Sequence, residues 1–79
     1  MNPQAERLLA RESNQLDVRR RLGAALSRTG EARAELPFDV TNVLLDFESK
    51  TATVSDELDP AEVVTVPLDD LRYYTERCQ

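Results

Sequence analysis

The sequence predicts an α+β fold: an N-terminal helix or helix pair, a three-stranded antiparallel meander, and a C-terminal helix packed on the sheet. Three observations lead there. Apolar residues recur at three-to-four spacing over residues 1–30 and again over 67–78, the period of a helix with one buried side. Over 38–66 the period changes to two and β-branched residues accumulate. Pro37, Pro60 and Pro67 fall at the junctions, where chain reversals or element ends are expected.

In the first segment Asn2 is a capping residue, and Pro3 stands at the first helical position, where a missing N–H costs nothing. Ala5, Leu8 and Leu9 share one face. Ser13 and Asn14 are weak helix formers and good caps, so the residues fit either one helix bent there or two short ones. In the second case Asn14 caps the second helix with Asp17 in its first turn, near the positive dipole end. Val18, Leu22, Ala25 and Leu26 follow on one face, and Gly30 is the expected stop. Glu31 to Pro37 reads as a connector, with Leu36 pushed toward extended geometry by the following proline.

Strand signals begin after it. Val43, Leu45 and Phe47 alternate with Leu44, Asp46 and Glu48, and Val40 and Thr41 extend the run. Ser49 and Lys50 fit a tight reversal, and Thr51 to Val54 read as the return strand with Ala52 and Val54 on one face. Ser55 to Ala61 is an acidic loop. Val63 to Val66 is the third strand, ended by Pro67. The final helix starts at Pro67 or Leu68 with Asp69 and Asp70 in its first turn, and Leu68, Leu71, Tyr74 and Cys78 form its stripe. The expected core is Val43, Leu45, Phe47, Ala52, Val54, Val64, Val66, Leu68, Leu71 and Tyr74.

Seventy-nine residues are read as one domain, 1–79, with a thin core that a partner or a second copy would complement. No apolar run reaches the ~20 residues of a bilayer span. Glu6, Arg7, Arg11 and Glu12 interrupt any signal-peptide core. Cys78 is the single cysteine, so no internal disulfide forms, and a reducing, cytoplasmic location is expected. The net charge of −5 is uneven. Residues 1–35 hold seven arginines against five acids, a balance of +2, and residues 36–79 hold three basic residues against ten acids, a balance of −7. The two parts therefore face different surroundings, or each other.

The residues offer little chemistry. Histidine is absent, which removes the commonest general base and rules out Ser–His and Cys–His nucleophile pairs. Gly23 and Gly30 are the only glycines, too few for a phosphate-cradling loop. Asp56, Glu57, Asp59 and Glu62 lack the alternate-residue ligands and central glycine of a calcium loop. Asp46 and Glu48 share one strand face that is normally wet. No catalytic, cofactor-binding or metal-binding residues are assigned. Arg19, Arg20 and Arg21 suggest nucleic-acid contact, but consecutive helical residues point about 100° apart and spread around the axis.

The expected function is a small non-enzymatic protein-binding or structural interaction module, with a homodimer through the first helix or the sheet edge as one form. Candidate partner-binding residues are Asp46, Glu48, Asp56, Glu57, Asp59, Glu62 and Tyr73. Leu44, opposite Val43 and Leu45, needs cover from the N-terminal helices or from a partner. An alternative is an acidic inhibitor or immunity-type protein that binds a basic partner. A second alternative is a dimeric DNA-binding regulator using the N-terminal arginines. No membrane association is expected.

Overall fold

The computed structural model describes residues 2–28 and 31–76. Helix α1 spans Pro3–Ala10 and α2 Gln15–Leu26. Both begin as their caps predict. Asn2 Oδ1 accepts the N–H of Gln4 at 2.7 Å, and Asn14 Oδ1 accepts that of Asp17 at 3.0 Å. The chain breaks at Arg11–Asn14, so the N-terminal region is a helix pair. Helix α2 closes at Leu26 with Ser27 as its C-cap, earlier than the expected stop at Gly30. Gly30 itself lies outside the described residues, as do Arg77 and Cys78.

Four strands follow instead of three: β1 Arg33–Pro37, β2 Thr41–Asp46, β3 Thr51–Asp56 and β4 Val63–Pro67. They form an antiparallel meander in the order β1-β2-β3-β4. The segment read as a connector is thus β1. Its period-two signal is only two residues deep, Ala34 and Leu36, and charges and a proline surround it. Pro37 is tolerated because β1 is an edge strand. The bonds Phe38 N–H to Thr41 O and Phe47 N–H to Ala32 O assign the even-numbered residues of β1 to the ladder with β2. The nitrogen of Pro37 therefore faces outward, where no donor is needed.

Helix α3, Leu68–Glu76, completes the chain. It packs over β3 and β4 and against α2, while α1 lies over β3 and β4 and α2 over β1. All three helices cover one sheet face. Two rows on that face are apolar: Ala34–Leu45–Ala52–Val66 and Leu36–Val43–Val54–Val64. Leu8, Leu9, Leu22 and Leu71 close the core from the helix side, each at most 1 % exposed. Of the expected core, Phe47 and Val64 are only partly buried and the rest are buried.

The opposite sheet face stays open. Leu22 and Leu26 pack on the same side as Val43, so no helix covers Leu44, which is 37 % exposed. Among the described residues no helix is long and apolar enough to cross a membrane.

Candidate functional site

A third row of the covered face is polar, and it decides where the acids go. Thr41, Asp56 and Glu62 continue the inward alternation of β2, β3 and β4. Helix α1 lands on this row. Thr41 Oγ1 donates to Leu8 O at 3.0 Å, Arg11 pairs with Asp56 at 2.9 Å, and Glu62 accepts from Gln4 and Arg7. Asp46, at the other end of the sheet, accepts the N–H groups of Glu48 and Ser49 in the β2–β3 turn and sits 3.8 Å from Arg33. The basic first part and the acidic second part of the chain thus meet through Arg7, Arg11 and Arg33. Of the seven candidate partner-binding residues, Asp56, Glu62 and Asp46 serve these internal pairs.

The remaining four do not converge. Glu48 is exposed in the β2–β3 turn, while Glu57 and Asp59 are exposed in the β3–β4 loop. Six-residue strands separate these two ends by about 17 Å. Tyr73 lies on the outer side of α3 and is 59 % exposed, whereas Tyr74 is buried. No group of three acids, cysteines or histidines is placed to hold a metal ion among the described residues.

The arginine run is dispersed as helical phasing predicts. Arg19 stacks on the ring of Tyr74 with 4.5 Å to its centroid, and its Nε donates to Tyr74 O. Arg20 pairs with Asp17. Arg21 stacks on Phe38 at 4.6 Å and donates to the outward carbonyl of Pro37. Two of the three therefore serve packing as much as charge.

Asp56 and Asp46 make stability depend on pH. Asp56 is held below the ordinary carboxylate value, first by the Arg11 hydrogen bond and then by the N–H of Leu58, against desolvation. Asp46 is held low chiefly by the N–H of Ser49. The unfolded chain takes up these protons near pH 4 and the folded chain only at lower pH. Their stabilisation is complete above about pH 5 and is lost as pH falls through the lowered folded values. We expect the urea midpoint to drop as pH falls from about 5 to about 2. Asp56→Asn should start lower at neutral pH and fall less over the same window, keeping the Asp46 share. An unchanged slope in the variant would refute this role for Asp56.

Among the described residues, large apolar side chains are exposed on the open face of the sheet, in the β3–β4 loop and on the helices. Leu44 and Val63 project from the open face, the latter 48 % exposed. Leu58, at 82 %, tops the β3–β4 loop between Glu57 and Asp59. Leu16, at 71 %, lies off the buried stripe of α2. Sequence reading singled out Leu44 alone. Val63 was legible as the odd-numbered member of its β-branched run, and Leu58 as the one large apolar residue in an acidic loop. A shallow groove beside the end of β4 is lined by Phe47, Lys50, Pro67, Leu68, Asp69 and Arg72. Comparison with family models, curated proteins and solved structures finds no match to this chain.

Proposed function

We propose that this chain is a small non-enzymatic protein-binding module whose recognition surface is the open side of its sheet. One observation carries the reading: three helices cover one face, and the other is left bare with Leu44 and Val63 exposed beside an unpaired strand edge. Beyond the charged residues Arg33, Glu35 and Asp46, the open face carries threonines, Asn42, Ser55, Leu44 and Val63, which suits backbone pairing and apolar contact with another polypeptide. The acids and arginines that suggested electrostatic partners are largely engaged inside the chain, which weakens the nucleic-acid reading most.

The inhibitor reading keeps one support. Leu58 stands between exposed Glu57 and Asp59, an apolar anchor framed by negative charge, which suits a basic partner with an apolar pocket.

The test is affinity capture from the native cell with the wild-type chain and with the double variant Leu44→Arg, Val63→Arg. Both substituted side chains point to solvent, so the fold is retained. A protein, or an untagged copy of the chain, held by the wild type at high salt and lost by the variant is the expected result. Capture by both forms, or by neither, refutes the open-sheet reading. Capture that collapses with added salt and needs Glu57 and Asp59 would favour the inhibitor reading.

A further inference from the structure

The two edges of the sheet are not equivalent. On β1, Arg33 and Glu35 carry charge, Pro37 ends the strand, and Arg21 occupies the outward Pro37 carbonyl. These are the devices that keep an edge from pairing with another chain. Strand β4 has none of the charge: Val63-Val64-Thr65-Val66-Pro67 is neutral throughout, in a chain of net charge −5.

The ladder shows which groups of β4 bond to no other strand among the described residues. Asp56 N–H donates to Glu62 O at 2.9 Å, and Leu68 N–H donates to Lys50 O at 3.0 Å. Both bonds lie on the β3–β4 register, so the even-numbered residues 62 to 68 bond to β3. Antiparallel alternation then turns the N–H and C=O of Val63 and Thr65, and the C=O of Pro67, away from the sheet. The side chains of the same three residues stand on the open face.

We infer that β4 pairs antiparallel with β4 of a second copy across a two-fold axis at Thr65, joining two four-stranded sheets into one of eight strands. This deepens the protein-binding reading and rests on it, naming the partner as the chain itself. In this register Thr65 exchanges two hydrogen bonds with its symmetry mate, and each Val63 N–H donates to the Pro67 carbonyl of the partner. The missing N–H of Pro67 sets the outer limit of the pairing. Side chains match as well. Thr53 and Thr65 hydroxyls lie 3.4 Å apart within one chain, and the two-fold axis continues that threonine row into the other copy. Val63 meets Pro67, and Val64, half-buried at the edge, meets Val66.

Charge selects a second copy over an unrelated strand. Arg7 reaches β4 through Glu62 and is still well exposed, and Asp69 follows Leu68 at the start of α3. Residue 62 of one copy stands opposite residue 68 of the other in the two-fold register. Arg7 of each copy is therefore brought toward Asp69 of its mate at both ends of the edge, an attraction that its own partner Glu62, carried to the same place, offsets in part. Five-residue edges bury less than the roughly 1,200 Å² of a standard interface, so the dimer is concentration-dependent.

The experiment is light scattering and amide hydrogen exchange on the full chain from about 10 µM to about 1 mM, a range that brackets weak self-association. The expected result is a mass rising from 8.9 kDa toward twice that value. The Val63 and Thr65 amides should become protected as it rises. Thr65→Lys places like charges across the axis on an exposed face and should hold the chain monomeric while leaving the Val64 and Val66 amides protected. Arg7→Asp alone gathers the new carboxylate, Glu62 and Asp69 of the mate and should weaken the dimer at least several-fold, and adding Asp69→Arg to it should restore the dimer. A monomer at 1 mM with freely exchanging Val63 and Thr65 amides would overturn the proposal. A dimer indifferent to Thr65→Lys would also overturn it, while leaving the protein-binding reading to its own capture test.

Discussion

Leu45→Ala is expected to cost about 4–5 kcal/mol, near the upper end for a leucine removed from a core. Leu45 is fully buried on the central strand β2. Its neighbours on the covered face are Ala34 on β1 and Ala52 on β3. One large side chain between two small ones fills that row. Truncating it leaves three alanines abreast, and alanine has no side-chain freedom with which to collapse into the gap. Val43 differs: Leu36 and Val54 flank it, so its removal leaves a smaller void. A domain of this length has a total stability of about 4–12 kcal/mol, so Leu45→Ala removes much or all of it. The control is the adjacent residue. Leu44→Ala lies on the open face, where the side chain is only partly covered, and should cost about 1 kcal/mol, well under Leu45→Ala. Chemical denaturation followed by circular dichroism checks both. A cost below about 2 kcal/mol for Leu45→Ala would mean that the row is not packed as described.

The same contrast shows what could be read from the sequence. Period two separates Leu44 from Leu45 without any structure, and the stripe Leu68, Leu71, Tyr74 is equally plain at helical spacing. The place of the helix break was legible in Ser13 and Asn14, but a bend and a full break fit the two short apolar stripes equally well, and folding decided for two helices. Strand β1 was not, because its inward set is Ala34 and Leu36 alone, and alanine is a poor strand signal. Its pairing comes from β2, which has an unsatisfied ladder on that side. The end of α2 was misplaced for a related reason: glycine marks where a helix must stop, and Ser27 ended it sooner.

The surface was harder to read than the core. Acids in the β3–β4 region look like solvent-facing turn residues, yet Asp56 is the next inward position after Ala52 and Val54. Strand parity places it there, but whether an inward acid finds an arginine depends on where α1 docks, which is a tertiary fact. The arginine run suffered the opposite fate. Its charges were legible, but the faces of Tyr74 and Phe38 that receive Arg19 and Arg21 are brought near only by folding. The unpaired groups of β4 depend on strand order, which adjacent hairpins suggest but do not fix.

Removing the Glu12 carboxylate is the second change of large expected effect. Glu12 lies in the α1–α2 connection and is 5 % exposed. Its two oxygens accept the N–H groups of Asp39 and Val40, each at 2.9 Å, in the β1–β2 turn. Gln15 then donates to the carbonyls of Leu9 and Glu12 and accepts from the hydroxyl of Tyr74 at 3.0 Å. One polar chain so links the β1–β2 turn, the helix connection and α3. Glu12→Ala leaves two turn donors without their acceptor and should cost about 2–4 kcal/mol. Glu12→Gln tests whether acceptance, rather than bulk, is the cause. Its amide nitrogen is a donor and must face one of the two N–H groups, so it should recover only part of the loss, leaving about 1–2 kcal/mol. Tyr74→Phe removes one neutral bond further along and should cost about 1 kcal/mol. Urea denaturation gives the order Glu12→Ala, Glu12→Gln, Tyr74→Phe, and amide exchange should show Asp39 and Val40 losing protection first in the Glu12 variants. A Glu12→Gln variant as stable as the wild type would mean that the side chain fills space there and the two acceptor bonds are incidental. Loss of protection confined to α3 would place the weak point at Tyr74 instead.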